Sequence, residues 1–94
     1  MEWLELVSDG KIVKGILAVA SGTADNSGGA EAADIDVTIT FTGFKKVNKV
    51  LAAYTDSNAA GAVVKSISDN SVTATAKSVG AGATSTVTVV ALVE

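Results

Sequence analysis

Five oxygen-bearing side chains lie close together between residues 25 and 36: Asp25, Asn26, Glu31, Asp34 and Asp36. Carboxylate and amide oxygens are the ligands that calcium prefers in proteins. Their spacing matches no EF-hand loop, and strand alternation places Asp34 and Asp36 together on one face. We therefore interpret this segment as a solvated loop beside a charged strand edge, which discourages aggregation. Calcium binding is the alternative, and we predict no metal site and no cofactor.

Hydroxyl side chains are plentiful, but the groups that would activate them are missing. A serine or threonine nucleophile needs a positioned base, and the chain contains no histidine, cysteine or arginine. The glycines at 28–29 and 80–82 lack the flanking lysine and the helix start of a phosphate-binding loop. The sequence therefore predicts a protein that is not an enzyme.

Three further residues could contact a ligand or a partner. Lys45 and Lys46 follow Phe44 and could meet an anionic surface, or they are edge residues that keep the protein in solution. Tyr54 ends an apolar segment, so its ring can be half-buried while its hydroxyl stays in water. The formal net charge of −3, with lysines scattered along the chain, argues against nucleic acid as a ligand.

The elements that must position these residues are strands. The chain has no proline and is rich in threonine, valine, serine and glycine, which favours strands joined by glycine turns. The clearest alternation places Ile35, Val37, Ile39 and Phe41 on one face and threonines on the other. Asp9-Gly10 is typical of a tight hairpin turn. The predicted strands are residues 3–7, 11–21, 35–42, 47–54, 62–67, 72–78 and 86–93.

This spacing predicts an all-β fold, a single antiparallel β-sandwich of six or seven strands over residues 1–94. Residues 22–33 and 55–61 are predicted to be flexible loops. The N-terminus lacks the basic start and long apolar run of a secretory signal, and no apolar run is long enough to cross a bilayer. We expect no membrane insertion.

The last strand contains an unbroken apolar run, residues 89–93. Such a run predicts burial on both faces, one against the domain core and the other against a neighbouring subunit. Aromatic content is only 4%, so the core is a thin aliphatic one, which oligomerisation would supplement. We predict an interface that contains Trp3, Leu4, Val90 and Leu92.

From Gly22 onward, the order of these signals resembles the small β-sandwich head domain of H-type lectins and of phage tail-fibre and virion surface proteins. The resemblance rests on a Gly-Thr-Ala strand end, an alternating strand with a Phe corner and a valine strand, a Thr-rich strand, and a valine-rich last strand. These features occupy residues 21–24, 37–50, 67–74 and 87–91. Asn48 stands where the family usually has proline.

The resemblance implies a homotrimer and, in lectin members, a sugar site at the subunit boundary. We therefore expect a virion structural protein on the surface of a capsid or tail, either a capsid decoration subunit or a small tail or fibre head. It would act through contacts with itself and with other virion proteins. A lectin-type carbohydrate-binding module is the alternative, although aromatic residues, which are frequent in sugar sites, are scarce here.

Overall fold

The structure, a computed structural model, describes residues 2–94 and contains seven strands. Their bounds are β1 Trp3–Ser8, β2 Lys11–Asp25, β3 Ala33–Thr40, β4 Val47–Thr55, β5 Gly61–Ser68, β6 Ser71–Val79 and β7 Thr84–Val93. All pairings between them are antiparallel. The predicted all-β fold is confirmed.

The strands form two sheets, one of four strands in the order β1-β2-β7-β4 and one of three in the order β3-β6-β5. Alternate residues of each sheet point into the space between them, where aliphatic side chains form one core. On β3, Val37 and Ile39 are buried while Thr38 and Thr40 are exposed, as the alternation predicts. Val89, Ala91 and Val93 of β7 are fully buried in the same core.

The prediction of a loop over residues 22–33 is wrong at its start, because residues 22–25 continue β2 alongside β7. Gly22 lies against the second sheet: a Cβ atom on it would be 2.8 Å from Val37 Cγ1 and 3.2 Å from Ile39 Cγ1. A small residue is therefore required in the strand where the two sheets approach each other.

The hairpin of β1 and β2 extends beyond the sandwich. β7 pairs with β2 only from Ile16 onward, so residues 3–14, here called the arm, form a two-stranded ribbon past the end of β7. Asp9 and Gly10 close it with φ values of 51° and 74°, a turn in which both central residues are left-handed. The radius of gyration is 14.2 Å, against about 12.4 Å for a compact domain of this length. The molecule is therefore elongated.

Gly15 lies where the arm leaves the body. A Cβ atom on it would be 2.9 Å from the backbone N and O of Val93 and 3.0 Å from Leu92 Cβ. Because backbone atoms cannot move aside, Gly15→Ala should lower the free energy of unfolding by about 1–3 kcal/mol. Gly28, which has open space around it, is the matched control. Urea denaturation checks this prediction, and equal midpoints for Gly15→Ala and Gly28→Ala would contradict it.

Candidate interaction surfaces

The four residues predicted to form an interface lie on two different faces. Leu4 pairs with Gly15, and Leu17 pairs with Leu92, so Leu4 shares the outer face of the four-stranded sheet with Val90 and Leu92. Trp3 pairs with Ile16, whose side chain packs against the core. Trp3 therefore lies on the opposite face of the arm from Leu4.

These residues differ in how much surface they offer. Trp3 is half exposed, Leu4 and Val90 are partly buried, and Leu92 is fully buried within the chain. The cross-strand neighbours of Leu92 are Leu17 and Lys49. Leu92 thus has no free surface for a partner.

Two residues that the sequence reasoning missed, Leu17 and Val19 of β2, lie exposed on the outer face. They are 48% and 63% exposed, while the alternate residues Ala18 and Ala20 face the core. A strand that points alanines inward and larger aliphatic side chains outward reverses the usual arrangement of a monomer. The signal was present in the sequence as the alternation of large and small apolar residues in β2.

The distribution of exposed apolar side chains is uneven. Ten large apolar residues are exposed in the described part of the chain, and eight of them belong to β1, β2 and β4 of the four-stranded sheet. Four are on the arm, namely Trp3, Leu6, Val7 and Ile12. Because large exposed apolar patches are typical of interaction sites, the two faces of this sheet are the candidate surfaces.

The face of the arm that continues the core face of the sheet, here called the underside, is the most exposed of these surfaces. It carries the cross-strand pairs Val7 with Ile12 and Glu5 with Lys14, followed by Trp3. Val7 is 79% exposed, Ile12 63% and Trp3 50%. The second sheet does not extend beneath the arm, because within residues 2–94 β1 makes extensive contacts with β2 only.

No family model, curated protein or solved structure matches this chain significantly.

Asn26, one of the candidate calcium ligands, is a buried structural residue. Its amide nitrogen Nδ2 donates to the carbonyl oxygens of Glu31 at 2.9 Å, Val79 at 3.0 Å and Gly80 at 3.1 Å. These hydrogen bonds, all donated by one side-chain amide group, connect the 26–32 loop to the end of β6 and fix the shape of the loop.

Two of the other candidate ligands, Asp34 and Asp36, each pair with a lysine. Asp36 accepts hydrogen bonds from Lys65 Nζ at 2.6 Å and Thr75 Oγ1 at 2.7 Å. Asp34 accepts from the backbone N of Ser78 at 2.9 Å and from Lys77 Nζ at 3.2 Å. These contacts lower the pKa of both carboxyls, chiefly through Lys65 for Asp36 and through the Ser78 amide for Asp34. Within residues 2–94, no group of three or more acidic, histidine or cysteine side chains is arranged to hold a metal ion.

Asp56 follows β4 and fastens the 56–60 loop to the start of β7. It accepts from the backbone N of Thr86 at 3.1 Å, from Ser85 Oγ at 2.8 Å and from the backbone N of Asn58 at 3.0 Å. These three donors, the backbone N of Thr86 first among them, lower the pKa of the Asp56 carboxyl from its ordinary value. Hydrogen bonds to an ionised carboxylate favour the charged form.

The lowered pKa of Asp56 predicts an acid-dependent loss of stability. The stabilisation is complete above the unfolded-state pKa of about 4 and is lost as the pH falls through the lower folded-state value. Asp56→Asn should therefore be less stable than wild type at pH 7, and the difference should shrink as the pH falls from 5 to 2. Thermal denaturation across that range checks this, and a constant difference would contradict it.

Tyr54, Lys45 and Lys46 do not form one site. Tyr54 lies on the outer face, opposite Thr88 and 53% exposed. Lys45 and Lys46 immediately precede the start of β4 at Val47. Their backbone N atoms donate to the Glu94 carbonyl O at 2.7 and 3.1 Å.

A shallow groove of about 440 Å³ lies elsewhere, between the 56–60 and 80–83 loops, and its lining is mostly small side chains. The described chain has no helix that could cross a membrane.

Proposed function

We propose that this protein is a structural subunit of a virion, a capsid decoration protein or a small tail or fibre head, that acts through protein–protein contacts as a homo-oligomer. The observation that carries the proposal is the reversed arrangement in the middle of β2, in which Leu17 and Val19 face outward while the alternate residues Ala18 and Ala20 face the core. A chain built this way gains stability when the outer face is covered.

The shape of the molecule supports the same proposal. Its accessible surface is 5338 Å², against about 5000 Å² for a compact monomer of its mass. The excess comes with an arm whose apolar side chains are uncovered. Small domains with thin aliphatic cores are commonly stabilised by association with other subunits.

The virion class and the number three come from the resemblance of residues 21–24, 37–50, 67–74 and 87–91 to virion surface and fibre head domains. The lysine ion pairs on the opposite sheet, Lys65 with Asp36 and Lys77 with Asp34, make that face polar. One apolar and one polar face suit a subunit that contacts other copies on one side and water on the other.

Light scattering on the purified protein at micromolar concentration tests the assembly, and we expect three times the chain mass of 9.3 kDa. A stable monomer would overturn the proposed homo-oligomer, and a dimer would overturn the number three. Quantitative mass spectrometry of purified particles tests the virion role independently. We expect the chain at a fixed stoichiometry to the major capsid protein, and its absence from particles would overturn that role.

A further inference from the structure

We propose that the underside of the arm is a second contact, besides the outer face of the four-stranded sheet, through which copies of this chain associate, with Glu5 of one copy against Lys14 of the next. The inference rests on the proposed homo-oligomer for its occupant, which is a second copy of this chain. It adds a specific surface, an orientation of the arms and a charge pairing.

A two-stranded ribbon such as the arm is only marginally stable in water, so packing against another surface would stabilise it. Its underside continues the core face of the four-stranded sheet, since Ile16, the partner of Trp3, packs against the core. Beyond Ile16 the second sheet is missing, and Val7 and Ile12 are left 79% and 63% exposed. The underside is therefore a part of the core face that this chain does not cover.

The sequence of rows along the underside indicates that its cover is the same surface of another copy. Reading from the turn, the rows are Val7 with Ile12, then Glu5 with Lys14, then Trp3 with Ile16. A charged row between two apolar rows would be costly to bury against a purely apolar partner. If the arms of two copies pack face to face around a shared axis with their strands parallel, the apolar rows of one copy contact the apolar rows of the other. The charged row of one copy then contacts the charged row of the other.

The charged row is self-complementary. Glu5 and Lys14 are an ion pair with 3.8 Å between Oε1 and Nζ, and both side chains are more than half exposed. Each group thus has room for a second partner. Packed around a common axis, Glu5 of one arm lies beside Lys14 of the next, and the charges alternate in sign around the contact. Such alternation fixes register and selects the copy as a partner.

Edge pairing between two β1 strands is a poorer arrangement. An antiparallel pair centred on Glu5 would place Glu5 directly opposite Glu5 of the other copy, and like charges opposite each other destabilise a strand pair. A pair centred between Glu5 and Leu6 avoids this repulsion but, like any edge pairing, leaves the underside uncovered. Face packing brings opposite charges together and also covers Val7 and Ile12. The arm faces, and not the strand edges, are therefore assigned as the contact.

Two lysine substitutions on the underside test the proposal. Val7→Lys and Ile12→Lys should each raise the dissociation constant of the assembly at least tenfold, as measured by light scattering across a dilution series. Val63→Lys is the matched control, because Val63 is 54% exposed on β5 of the other sheet. It should leave the mass unchanged. Far-ultraviolet circular dichroism should show the same strand content for all three variants, since all three side chains are exposed.

A charge exchange tests the pairing itself. Glu5→Lys and Lys14→Glu should each raise the dissociation constant at least tenfold, because each variant gives both residues of the charged row the same charge. The double variant Glu5→Lys with Lys14→Glu should return the dissociation constant to within about threefold of wild type, since alternation is restored. A double variant as weak as either single variant would overturn the proposed pairing.

Val90→Lys, on the outer face, separates this inference from the proposed function. If Val90→Lys dissociates the assembly while Val7→Lys and Ile12→Lys leave it intact, the homo-oligomer stands and the arm contact is overturned. If the wild-type chain is a monomer at every concentration, both are overturned. Dissociation by the two underside variants together with recovery in the double charge exchange supports the arm contact.

Discussion

Val37→Asp should unfold the domain. Val37 lies in the core with 8% of its surface exposed, and its Cγ1 atom lies beneath Gly22 of the facing sheet. An aspartate there would be ionised at neutral pH without a partner, at a cost of several kcal/mol. Since small domains are stable by only about 5–15 kcal/mol, we expect loss of the cooperative thermal transition in circular dichroism.

The neighbouring residue on the same strand provides the control. Thr38 is exposed, and its Oγ1 atom lies 3.2 Å from Thr73 Oγ1 on the outer face of β3 and β6. Thr38→Asp removes one exposed hydrogen bond and places a carboxylate near Asp36, so we expect a loss of about 1 kcal/mol. Equal losses for the two variants would contradict the inward and outward assignments on β3.

Local patterns predicted most of the fold. The alternation in β3 and the turn at Asp9-Gly10 each depend on neighbouring residues alone, because side-chain period and positive φ are local properties of the backbone. The continuation of β2 through residues 22–25 could not be predicted in the same way. Its small residues have the composition of a loop, and only the approach of Val37 and Ile39 from the other sheet explains why they lie in a strand.

The candidate surface was predicted in part. Trp3, Leu4, Val90 and Leu92 were selected because the unbroken apolar run of the last strand exceeds what one thin core can cover, but Leu92 is buried within the chain. The arm itself was not predicted, since it exists only because β7 ends at Val93 while β2 begins five residues before Ile16. Relative strand lengths follow from pairing between distant segments, which sequence periodicity does not encode.

We expect Asn26→Asp to lower the free energy of unfolding, because it replaces a hydrogen-bond donor group with an acceptor. Asn26 is 8% exposed and its Nδ2 atom donates to three backbone carbonyls within 3.1 Å. Aspartate has nearly the same shape but would direct a carboxylate at those carbonyls. The carbonyls would be left unsatisfied and a buried charge unpaired, so we expect the free energy of unfolding to fall by about 3–5 kcal/mol.

Asn58→Asp is the matched control, because Asn58 is exposed and its Nδ2 donates only to Thr84 O. We expect the control variant to lose about 1 kcal/mol. Urea denaturation at pH 7 measures both. Burial raises the folded-state pKa of the new carboxyl, so the Asn26→Asp defect should diminish as the pH falls from 7 towards about 4, the unfolded-state pKa, because the protonated carboxyl can donate again. Equal losses for the two variants at pH 7 would show that Asn26 does not anchor the loop.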